Sequence, residues 1–137
     1  MRERVSREWL DKAKEDLVAA EILLDAAENR VSFLSSTIGF HSQQAVEKSL
    51  KAALVMHKIE FKKSHDIYYL INLIEESIDF LNLRFVKEHA DILNEFAVNS
   101  RYPGQDFNFS IKECQDAYNI AEKLLGMVNE LLDDFEC

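Results

Sequence analysis

The chain has few residues that interrupt a backbone: one proline and three glycines in 137 residues. A β-sandwich or barrel needs frequent turns, and a phosphate loop needs several glycines close together, so neither is provided for. Two cysteines, Cys114 and Cys137, are too few for a disulfide framework, and there is no Cys-x-x-Cys or Cys/His cluster for zinc. No apolar run approaches the ~18 residues that span a bilayer. The N-terminus, Met-Arg-Glu-Arg-Val-Ser-Arg-Glu-Trp, lacks the apolar stretch of a secretion signal. The expectation is a reduced, cytoplasmic protein without a membrane segment. Positive charge is scarce as well: 16 Lys+Arg against 25 Asp+Glu give a net charge of -9 and a pI of about 4.9. Proteins that grip long duplex DNA by its phosphates usually show the opposite balance.

What is present is a folded helical chain. Hydrophobic residues are 47% and charged residues 30% of 15.9 kDa, which predicts one domain over residues 1–137 with a core of its own. The first helix is expected from an N-cap at Ser6 to about Glu28–Arg30, with the apolar stripe Trp9, Ala13, Leu17, Ala20 and Leu24 at intervals of three and four. The second runs from about Ser32 to Lys58 and is apolar on two sides, as a central bundle helix is. Between those sides lies a polar stripe: His41, Gln44, Lys48, Lys51 and Lys58. Gly39 marks close approach of another helix or a local weakness. A third helix, capped by Ser64, spans about His65 to Ser77, and a fourth about Leu83 to Ser100. Ser110 and Glu113 form a capping box that opens the last helix. The sum is an all-α antiparallel bundle of about five helices with a four-helix core.

Few residues look equipped for chemistry. His41, His57, His65 and His89 show no metal-ligand spacing, and neither a metal nor a cofactor is expected. Ser35, Ser36 and Thr37 sit inside a helix, where local backbone bonding and packing explain them. Charge is uneven. Lys48, Lys51, Lys58, Lys62 and Lys63 make a basic middle, whereas residues 101–137 hold eight acids and three bases. Arg101 stands at a helix end before Tyr102-Pro103-Gly104. Its guanidinium suits a phosphate or carboxylate, and equally suits orphan carbonyls at the helix terminus. Tyr102 fits base stacking or loop packing.

The residues resemble the HEPN (higher eukaryote and prokaryote nucleotide-binding) domain family. The resemblance rests on Trp9, Ala13 and Asp16-Leu17, on Phe40-His-Ser-Gln-Gln-Ala-Val-Glu-Lys-Ser-Leu-Lys-Ala-Ala-Leu54, on His65-Asp66 leading into Leu70, and on Ser100-Arg-Tyr-Pro103. It implies a helical bundle, commonly a homodimer. Many members are encoded beside a minimal nucleotidyltransferase or fused to one, some as toxin and antitoxin. Active members are metal-independent ribonucleases marked by an arginine and, four to six residues later, a histidine, paired across the dimer. Here Arg101 matches the arginine, but Tyr-Pro-Gly-Gln-Asp-Phe-Asn-Phe follows and holds no histidine. Arg84 and His89 have the spacing but stand about a helix earlier.

Three readings result. In the first, a non-catalytic homodimer partnered with a nucleotidyltransferase binds nucleotide or RNA through His41, Gln44, Lys48, Lys51, Arg101 and Tyr102. In the second, a toxin endoribonuclease uses Arg101 with His41 or His89, or the pair Arg84 and His89. In the third, Gln44, Glu47, Lys48 and Arg101 form a structural polar network in which Glu47 or Asp66 pairs with a base.

Overall fold

A computed structural model describes residues 1–26, 31–78, 81–99 and 109–136. They form six helices and no strand: α1 (Arg2–Ala26), α2 (Val31–Met56), α3 (Ile67–Ser77), α4 (Arg84–Lys87), α5 (Ala90–Asn99) and α6 (Ile111–Glu136). The order is that of the expected bundle, with one addition. The fourth helix is broken into α4 and α5 at Glu88 and His89. The His89 backbone N–H bonds the Val86 carbonyl, and its imidazole Nδ1 lies 3.1 Å from the Phe85 carbonyl, the acceptor an α-helical ladder would have used.

α2 is the centre of the molecule. It packs against α1, α3, α5 and α6, and between Ser42 and Leu54 every residue except Lys48 is buried. α1 and α6 also pack on each other, tied by Arg7, which donates to Asn129 and to Asp133. Gly39 lets α5 come close: a Cβ there would stand 2.0 Å from the Phe96 ring. Phe96 in turn packs its ring at 4.1 Å, tilted by 43°, against Phe109, which stands just before α6 and is almost fully buried.

The ends of the helices obey capping chemistry, with two corrections. Ser110 and Glu113 make the reciprocal capping box, at 3.1 and 2.9 Å. Ser6 is not an N-cap: α1 already begins at Arg2, and the fully buried Ser6 hydroxyl donates to the Ala52 carbonyl on α2 at 2.7 Å. The N-cap of α3 is Asp66, which accepts from the Tyr68 N–H, while Ser64 accepts from the Asp66 N–H. α2 ends in a Schellman turn, Lys58 N–H to the Val55 carbonyl and Ile59 N–H to that of Leu54. Lys58 takes the left-handed position at φ 59°, where glycine is usual, and so leaves the helical stripe it was expected to extend.

Candidate functional site

Of the residues expected to bind nucleotide, His41, Gln44, Lys48 and Lys51 lie on α2. Arg101 and Tyr102 fall outside the described residues. The four on α2 do not act as one group; they divide between two polar clusters.

The first cluster opens to solvent between α1 and α2. Asp16 on α1 is its hub. One carboxylate oxygen lies 2.9 Å from His41 Nδ1, and the other accepts from Lys48 Nζ at 2.6 Å. Asp16 is 13% exposed, Lys48 23% and His41 31%. A carboxylate can meet an imidazole nitrogen only if that nitrogen carries the proton. Asp16 therefore fixes the neutral ring with hydrogen on Nδ1 and a lone pair on Nε2. Among the described residues, Nε2 has no hydrogen-bond partner. Asp16 was given no role from the sequence. The signal was there: it is a carboxylate next to Leu17 and one turn from Ala13, at the edge of a buried face, where a charge needs a partner.

The second cluster is buried at Glu47 and Lys51 and reaches the surface through His65. Glu47, 3% exposed, accepts from Lys51 at 3.1 Å and Gln43 at 3.2 Å, with His65 Nδ1 at 2.9 Å. Gln44 donates to Gln43 at 2.8 Å. The Lys51 ammonium also faces the rings of Trp9 at 5.2 Å and Phe61 at 5.8 Å. Thus Glu47 does pair with a base, and the base is Lys51. Asp66 instead caps α3 and accepts from Asn94. The two lysines expected to supply positive potential each hold a carboxylate, Lys48 that of Asp16 and Lys51 that of Glu47.

Within the chain, Arg84 and His89 each bond other groups. Arg84 is exposed on α4 and donates to Glu88 at 3.0 Å, while His89 turns to the Phe85 carbonyl. Cys114 is no nucleophile: it is fully buried against the Ser35 carbonyl, and burial pushes its thiol up to about 11. Tyr118 lines a cleft of about 640 Å³ between α1 and α6 with Leu24, Asp25, Gln115 and Asn119. Burial and hydrogen bonds to Glu21 and Glu122 push its hydroxyl above the usual tyrosine range, so it stays protonated as a donor. That rim is acidic and does not invite a phosphate. Among the described residues there is no group of three or more His, Cys, Asp or Glu arranged for a metal ion, and no helix is long and apolar enough to cross a membrane.

Comparison with known proteins identifies a family and solved structures of the same fold. The sequence model of the HEPN domain matches residues 6–131. A relative named "Putative toxin MJ1304", from Methanocaldococcus jannaschii, is 26% identical, with 92% of this chain and 87% of that protein aligned. The crystal structure of TT1696 from Thermus thermophilus superposes with a TM-score of 0.73 at 25% identity, over 91% of this chain and 96% of that one. ST0689, described as an archaeal HEPN homologue, gives 0.67 at 22% identity, over 93% and 97%.

Proposed function

Because the chain belongs to the HEPN family, we propose that it is a nucleotide- or RNA-associated HEPN protein that acts as a cytoplasmic homodimer beside a minimal nucleotidyltransferase and does not itself cleave RNA. One observation carries this reading: the segment after Arg101, Tyr-Pro-Gly-Gln-Asp-Phe-Asn-Phe, offers no histidine for proton transfer. The intrachain bonds of Arg84 to Glu88 and of His89 to the Phe85 carbonyl agree with it. The contact surface is the partly exposed polar cluster of His41 and Lys48 where α2 meets α1, with Arg101 and Tyr102 as further ligands to phosphate and base.

The second reading, a metal-independent endoribonuclease toxin, draws on the name of the M. jannaschii relative and on His41, whose ring is held by Asp16 with Nε2 available. Incubating the purified protein in EDTA with structured and unstructured RNA separates the two. The first reading expects bound, intact RNA and a mass in solution twice the 15.9 kDa of the chain. Cleavage that disappears in Arg101→Ala and His41→Ala, but persists in His89→Ala, establishes the second. A pull-down with a minimal nucleotidyltransferase tests the partner.

A further inference from the structure

Lys48 and His41, both partly exposed on α2 and both bonded to the same α1 carboxylate, present two different kinds of hydrogen-bonding atom, and the nature of each is set by Asp16. Lys48 Nζ donates one of its three N–H bonds to Asp16 Oδ2 at 2.6 Å and keeps two. His41 Nδ1 is committed to Asp16 Oδ1 at 2.9 Å, so the neutral ring offers Nε2 as a lone-pair acceptor. The ring is 31% exposed and Nε2 is unbonded among the described residues. A phosphate oxygen has no proton to give to that acceptor. A hydroxyl has, and a hydroxyl flanked by a phosphate satisfies both atoms at once. A ribose 2′-hydroxyl next to its 3′-phosphate is such a group, and a deoxyribose would leave Nε2 facing a C–H.

Resting on the nucleotide- or RNA-binding reading above, we infer that Asp16, His41 and Lys48 form a ribose-selective site: His41 Nε2 accepts the 2′-hydroxyl, Lys48 donates to the adjacent phosphate, and Asp16 is the positioning residue that fixes the imidazole's orientation and tautomer. The three side chains together carry no net charge when the ring is neutral. Affinity at this site therefore depends little on counterion release. One contacted phosphate on a single strand gives a slope of log K against log salt of about -0.7, far shallower than a basic groove gives.

The test is fluorescence anisotropy with labelled oligoadenylate and its deoxy counterpart, at several salt concentrations, and competition by AMP and 2′-deoxyAMP. The wild-type chain is expected to prefer the ribo-oligomer by about 3- to 10-fold, the worth of one net hydrogen bond, with the shallow salt slope. His41→Ala removes the preference and leaves deoxy binding unchanged. Asp16→Asn, nearly isosteric, also removes it, because the amide N–H can donate to Nδ1 and move the ring proton to Nε2. Lys48→Met weakens both oligomers equally. Circular dichroism melting of each variant separates these effects from unfolding. AMP competing better than 2′-deoxyAMP, without an oligomer preference, assigns the site to free ribonucleotides. Equal binding of every ribo and deoxy pair by the wild type, or a preference that survives in folded His41→Ala, overturns the inference and leaves the nucleic-acid reading standing. Absence of binding to all four ligands overturns both.

Discussion

Two polar clusters on the same helix meet opposite fates. Around His41 and Lys48, a carboxylate is 13% exposed and its partners reach solvent. Around Glu47 and Lys51, less than two turns further along, the carboxylate is 3% exposed and the ammonium 7%. The residue types are nearly the same: one acid, one lysine, one histidine. What differs is the neighbourhood. The first cluster sits at the edge of the α1–α2 contact and stays partly exposed, whereas the rings of Trp9 and Phe61 face the Lys51 ammonium of the second. The lesson is that charge in contact with solvent can serve a ligand, while the same charge buried against aromatic rings is committed to the fold. The buried cluster answers to the structural network anticipated from the sequence, built on Lys51 instead of Lys48.

The largest effect that would break this comparison is expected in the buried cluster. Glu47→Ala leaves the Lys51 ammonium buried with only aromatic faces for company and should cost about 3–5 kcal/mol. The double replacement Glu47→Leu with Lys51→Met should recover most of that loss, since two apolar side chains need no partners. Urea unfolding of the two variants is the measurement, and a single variant as stable as wild type would show that the pair is hydrated.

Packing on another side of α2 offers the next largest effect. Gly39→Ala places a methyl 2.0 Å from the Phe96 ring, which is fully buried and has no room to swing aside. A loss of about 1–3 kcal/mol is expected. Combining it with Phe96→Leu should bring a non-additive rescue in a double-mutant cycle. This sharpens the comparison by showing that burial, not polarity as such, sets the cost on this helix.

At the open cluster the stability effect should be small. Asp16→Ala removes two partly exposed contacts and is expected to cost about 1 kcal/mol, although it abolishes the organisation of His41. A thermal melt that fell as far as for Glu47→Ala would make the two clusters equivalent and end the distinction. The smallest effect is a gain. Gly126 in α6 is exposed, and a Cβ there meets nothing within 4 Å. Gly126→Ala should therefore stabilise by about 0.5–1 kcal/mol through helix propensity, the reverse of the same substitution at Gly39.

Much of the bundle was legible in the sequence because helical periodicity is a local property. The stripe through Ala13 and Ala20, the apolar sides of α2, the capping box at Ser110 and the close approach at Gly39 all follow from spacing and residue type. Ser6 was misread for the same reason: a serine near a predicted start looks like a cap, and its bond to Ala52 lies 46 residues away. The break at His89 was hidden because it depends on a side chain competing for one carbonyl. In the candidate site, His41 and Lys48 were found, but Asp16, which joins them, stands 25 and 32 residues from them.

The sequence by itself determined that this chain is a helical HEPN bundle, since composition, apolar period and the Gln-Gln-Ala-Val-Glu-Lys segment all act through local geometry or through matched residues. It also determined that no histidine follows Arg101 at the ribonuclease spacing. Only the tertiary structure decided which lysine keeps access to solvent and which is buried against aromatic rings. That decision is physical: whether a charge can meet a ligand depends on how much water and low-dielectric protein surround it, and this is set by helices distant in the chain.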